Sequence, residues 1–63
     1  MNEADREMGN MARNPHWHGT LTTDVVDDMM ARYSDTVYCN GYLRRIVFTP
    51  ITENTIAFKT EAI

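Results

Sequence analysis

TVYCNGYLRRIVF, residues 36–48, is the stretch whose reading decides the fold. Two runs rich in β-branched and aromatic side chains flank Asn40-Gly41. Asn and Gly accept the positive φ angles of a type I′ turn, whose twist matches that of paired strands. A two-residue turn also sets the register, so that Cys39 opposes Tyr42, Tyr38 opposes Leu43 and Val37 opposes Arg44. Val37, Cys39, Tyr42, Ile46 and Phe48 then share one face with Arg44, while Tyr38, Leu43, Arg45 and Val47 share the other. Both faces carry apolar groups, and 63 residues can cover only one of them well.

Towards the N-terminus, residues 21–34 read as the firmest helix. Val26, Met29, Met30 and Tyr33 fall at i, i+3, i+4 and i+7, with Val25 widening the stripe. Thr22 or Thr23 is placed to cap the first turn. Asp24 and Asp27 lie near the positive end of the helix dipole. Asp28 and Arg32 form an acid-before-base pair at i, i+4. Further back, residues 2–13 place Ala4, Met8, Met11 and Ala12 at helical spacing, but Gly9 costs about 1 kcal/mol relative to alanine. So short a helix persists only if it docks. Asn14-Pro15 ends any helix there, and residues 16–19 read as a loop whose Trp17 favours burial.

Towards the C-terminus, residues 49–54 (TPITEN) read as a turn. Residues 55–60 (TIAFKT) alternate, with Ile56 and Phe58 on one face and Ala57 and Lys59 on the other. The expected fold is α+β: one helix at about 22–34 packed on a three-stranded antiparallel meander at about 36–39, 42–48 and 55–60. Residues 1–15 form an N-terminal arm, helical or disordered, and residues 16–63 form the single domain. The expected core is Val25, Val26, Met29, Met30, Tyr33, Val37, Cys39, Tyr42, Ile46, Phe48, Ile56 and Phe58. Tyr38, Leu43, Val47 and Ala57 are left over, joined by Ile51 and Trp17.

A domain of this length buries only about 60% of the surface of its unfolded chain. Small domains recover stability through disulfides, a metal or a second subunit. The single cysteine, Cys39, excludes an internal disulfide and suits a reducing compartment. No apolar run is long enough to span a bilayer. The opening MNEADREMGN is acidic and lacks the apolar region of a signal peptide. The expected location is cytoplasmic. Net charge is −3, split between −4 over residues 1–35 and +1 over residues 36–63.

His16, His18 and Cys39 offer three candidate ligands for a zinc-stabilised mini-domain, but their spacing matches no zinc module and a fourth ligand is missing. A polar loop anchored by Trp17 explains the histidines better, so no metal and no cofactor is expected. Cys39 lacks a neighbouring base in sequence and reads as a small buried group. The glycines are too scattered to cradle phosphate. Catalysis and a small-molecule substrate are therefore not expected. Arg44, Arg45 and Lys59, with Tyr38 and Tyr42 nearby, make a candidate basic β-ribbon for nucleic acid, which is the alternative reading. Asp24, Asp27 and Asp28 make a candidate acidic face, with a solvated helix surface as the ordinary explanation.

The leading expectation is a small non-enzymatic interaction protein that covers a larger protein or a second copy of itself. Its anchors are Trp17, Tyr38, Leu43 and Val47, with Arg45 at the rim. In size and acidity the chain is similar in character to inhibitors and regulators made by phages and plasmids, a likeness of type that no motif carries.

Overall fold

The computed structural model describes residues 2–63. Two helices and four strands follow in the order α1 (Glu3–Arg13), β1 (Gly19–Thr22), α2 (Thr23–Arg32), β2 (Thr36–Cys39), β3 (Tyr42–Pro50) and β4 (Thr55–Ala62). The strands form one antiparallel sheet in the order β1-β4-β3-β2. The α+β class is as expected; the sheet has one strand more and the chain one helix more.

The hairpin forms as its turn residues require. Asn40 and Gly41 take φ of 53° and 88°, and Val37, Tyr38 and Cys39 stand opposite Arg44, Leu43 and Tyr42. β3 runs on to Pro50, two residues past the expected end. Its last residues lie beyond the reach of β2, with Pro50 opposite Ile56 of β4. Proline is tolerated there because its missing N–H takes no bond from a ladder.

α2 is shorter than expected at both ends. Thr22 is the N-cap, its Oγ1 accepting from the Val25 amide at 3.4 Å, and the Asn54 carbonyl accepts from the Thr23 amide. Both bonds satisfy donors that a helix start leaves unpaired. The exit is set by Ser34 at φ 74°, which no helical residue adopts. Leu21, expected at the helix start, instead lies in β1 opposite Ile56, with its side chain in the core.

The N-terminal segment is a helix of the fold. Asn2 caps α1, its side chain accepting from the Asp5 amide at 2.9 Å. Ala4, Met8 and Met11, at i, i+4 and i+7, are buried in one cluster with Leu21, Val26, Met29, Val37, Ile46 and Phe58. Residues 3–13 thus take the helical form of the two expected and are docked, and burial of each methionine contributes about 1.5–3 kcal/mol that offsets the weakness of Gly9. α1 lies against β2 and α2, while α2 lies against β1 and β4.

Three residues expected in the core are outside it. Met30 and Tyr33 are exposed, because α2 turns Val26 and Met29 inward and Met11 of α1 fills the remaining space. Tyr42 is 78% exposed, at the turn end of the sheet beside an open depression. Val25, Phe48 and Ile56 are half-buried against the core. No helix of the described residues is long and apolar enough to cross a membrane.

Candidate functional site

The register sorts the sheet into two faces. Leu21, Val37, Cys39, Ile46, Phe58 and Thr60 point under the helices and are buried. Tyr38, Leu43, Arg45, Val47, Ala57 and Lys59 point the other way, where no helix lies. Tyr38 and Leu43 are cross-strand neighbours, 68% and 41% exposed. Val47 and Ala57 are half-buried, and Arg45 stands opposite Glu61. Four of the five expected partner-binding residues, Arg45 of the rim included, therefore lie on the open face.

The fifth, Trp17, reaches that face from its side. Asn14 organises the loop after α1: its side chain accepts from the His16 amide at 2.9 Å, and its carbonyl accepts from the Trp17 amide at 3.1 Å. Trp17 Nε1 donates to Glu7 Oε2 at 2.7 Å, which fixes the indole against α1. Trp17 is not the buried anchor of its loop; it walls an open depression of about 610 Å³ whose other side includes Val47, Thr49, Ile51, Ala57 and Lys59. Thr49 received no functional role from the sequence, and Ala57 and Ile51 were counted among the leftover apolar groups without being named as anchors. Alternation put Ala57 on the face away from Ile56 and Phe58, but the sequence read Thr49 and Ile51 as a turn and set no pairing between β3 and β4, so the extension of β3 and the position of the loop were both missing.

The basic ribbon does not assemble. Arg45 and Lys59 are on the open face, but Arg44 is on the covered one, where its Nε donates to Thr60 Oγ1 at 3.0 Å and its Nη2 to the Thr60 carbonyl at 3.1 Å. Strand alternation separates Arg44 from Arg45 by its nature. The histidines and Cys39 do not meet as ligands either. His18 Nδ1 lies 3.0 Å from the His16 carbonyl oxygen, Cys39 is inside the core, and among the described residues no three His, Cys, Asp or Glu side chains group as metal ligands. A thiol buried in this way is not presented to a substrate.

Asp5 and Asp28 are engaged with the chain itself. Asp28 takes a two-pronged contact from Arg32, with both N···O distances 3.1 Å. Arg32 also reaches Asp5 at 3.1 Å and the Asn2 side chain at 2.8 Å, and Tyr33 donates its phenol to Asp5. The Tyr33 bond holds the Asp5 carboxyl below the ordinary carboxylate range against a smaller opposing effect of desolvation, with the Arg32 charge assisting. The same bond raises the Tyr33 phenol, and Asp28, followed by Asp5, raises the Arg32 guanidinium. This network fastens the start of α1 to the end of α2. Asp24 and Asp27 stay exposed on α2, so the expected acidic face shrinks to two solvated carboxylates beside a neutralised one.

No known family, no curated protein and no solved structure matches this chain. Its function is therefore read from its own residues.

Proposed function

We propose that this protein is a non-enzymatic interaction module that acts by covering a surface of another protein with its helix-free sheet face. One observation carries the reading: Tyr38 and Leu43 stand side by side and exposed on a sheet whose opposite face carries the two helices. A domain has no packing reason to place large apolar groups there, and contiguous apolar patches on small proteins mark interaction sites. Tyrosine at the centre of such a patch supplies contact area at low entropic cost. The Arg45–Glu61 pair crosses the face between Leu43 and Val47, and Lys59 stands opposite Val47, so the exposed Tyr38–Leu43 pair is bordered by charges of both signs. The bound protein would lose access to whatever surface the face covers, so regulation by obstruction is the mechanism.

Capture with the immobilised full chain tests this reading. A protein retained from lysate of the source cell should be lost with Leu43→Asp and with Tyr38→Ala, and kept with Asp27→Lys on the exposed side of α2. The reverse pattern would move the interface to the helices and overturn the assignment. If the retained protein is a second copy, sedimentation of the purified chain at micromolar concentration shows a dimer that Leu43→Asp splits.

A further inference from the structure

The depression walled by Trp17 has a charge pattern unlike the rest of the chain. The protein carries nine acids against six Lys and Arg, yet no carboxylate lines this hollow, whereas Arg44 and Lys59 do. Glu7, the acid bonded to the wall, is turned to the indole and does not line it. None of the ion pairs among the described residues uses Arg44 or Lys59.

Arg44 is the decisive group. It is half-buried, and its guanidinium is held in place by Thr60, whose hydroxyl donates onward to the Pro15 carbonyl at 2.9 Å. Two of its donor nitrogens are thus committed to neutral oxygens, and no carboxylate balances the charge. Withdrawing a cation from water without a counter-charge is unfavourable, and a carboxylate brought beside it recovers that loss. Arg44 also lines the second depression, with Tyr42, Leu43 and Ala62, so it stands where the two hollows approach each other. The remaining lining is largely apolar, including Val47, Ile51, Ala57 and Phe58.

We propose that this depression receives an acidic side chain flanked by an apolar one, on an extended segment of the partner protein. The proposal rests on the protein-binding reading and deepens it. A carboxylate suits a hollow whose lining holds two cations, Arg44 and Lys59, and no acid. The apolar neighbour suits the floor of Val47 and Ala57. The hollow shares Val47 with the open face, so a bound segment can run on over Leu43 and Tyr38. A polyanion is disfavoured by the net charge of −3, which repels a phosphate backbone at long range.

The chain has one tryptophan, and it is in the wall, so its fluorescence reports occupancy. The probes are acetylated, amidated pentapeptides with a Phe-Glu-Leu centre, the same peptide with Gln or Lys in place of Glu, 3-phenylpropionate, and a single-stranded oligonucleotide. The Glu peptide should shift Trp17 emission saturably and bind about tenfold tighter than the Gln form, a typical margin for a charge-assisted contact. Lys59→Gln, at an exposed position, should remove most of that margin, and Val47→Asp should abolish binding. Arg44→Gln should do the same as Lys59→Gln, with circular dichroism checking the fold. Equal binding of the Glu and Gln peptides, or no effect of Lys59→Gln, overturns the proposal. So does tighter binding of 3-phenylpropionate or of the oligonucleotide. Loss of partner capture with Leu43→Asp, together with no saturable peptide signal, would sink this inference and leave the open-face reading standing. Saturable Glu-specific binding with capture indifferent to Leu43→Asp would do the opposite.

Discussion

Tyr33, the C-cap of α2, donates its phenolic hydroxyl to the carboxylate of Asp5 in the first turn of α1, 28 residues earlier. With Arg32 this bond closes the seam between the two helices. Its dependence on pH has two limbs. Asp5 titrates below its ordinary value in the folded chain, so its contribution is complete above about pH 4 and is lost as pH falls through the depressed value. Tyr33 titrates above its ordinary value, so its contribution is complete below about pH 10 and is lost as pH rises through the raised one. Tyr33→Phe should therefore lower the melting temperature at neutral pH and flatten the alkaline limb of a melting temperature against pH curve. Asp5→Asn should flatten the acid limb. A Tyr33→Phe variant whose curve overlays that of the parent at every pH would remove the bond from the account.

Met11 and Met29 are the largest fully buried side chains. Met11→Ala and Met29→Ala should each cost about 2–5 kcal/mol by urea denaturation. For a domain with about 3–9 kcal/mol in total, by the usual per-residue scale, either change approaches unfolding. The comparison matters more than the size. If α1 were only a loosely attached arm, Met11→Ala would be nearly silent while Met29→Ala stayed severe.

Gly41 at φ 88° has open space where a side chain would go, so a substitution meets backbone strain and no clash. Gly41→Ala should destabilise by about 1 kcal/mol, with a larger loss for Gly41→Val because the branched side chain is stiffer. Slower refolding in both variants would place the hairpin in the folding nucleus.

The hairpin register was legible because Asn40-Gly41 ties turn type to pairing locally, with no need of the rest of the chain. The presence of α2, its inward Val26 and Met29 and the Asp28–Arg32 pair were legible for the same reason, whereas the other two residues of the stripe, Met30 and Tyr33, are exposed. α1 was not, although Ala4, Met8 and Met11 carried the right spacing: whether a short helix with a central glycine persists depends on a surface to dock on, and that surface is made by β2 and α2 far along the chain. β1 was missed because Gly19–Thr22 contains one apolar residue, Leu21, and four residues hold too few alternations to separate a strand from a helix start. At the site, alternation alone placed Tyr38, Leu43, Arg45 and Val47 together. The uncompensated position of Arg44 was hidden, since it depends on Thr60 and Pro15 being brought beside it.

Thr60 is the buried polar side chain of the described core. Its hydroxyl accepts from Arg44 Nε and donates to the Pro15 carbonyl, so it joins β3, β4 and the loop after α1. Thr60→Val keeps the shape and removes both bonds, at a cost of about 1–3 kcal/mol. Thr60→Ser keeps both and should cost less. The change should also be felt at the depression, where freeing the loop alters Trp17 emission. A Thr60→Val protein with unchanged emission and stability would show that the loop is positioned by the Glu7–Trp17 bond alone.

Leu43→Asp tests whether the open face is spare. Leu43 lies on the side of the sheet away from the helices, so a carboxylate there stays hydrated and no core cavity forms. The stability change should be within about 0.5 kcal/mol, the usual range for surface substitutions. The same change at Ile46, its covered neighbour on β3 at 2% exposure, should prevent folding, because a charge would be buried without a partner. If Leu43→Asp instead destabilised the isolated chain by several kcal/mol in a urea titration at sub-micromolar concentration, Leu43 would belong to the monomer's own packing. The sheet would then have no free apolar face to offer a partner.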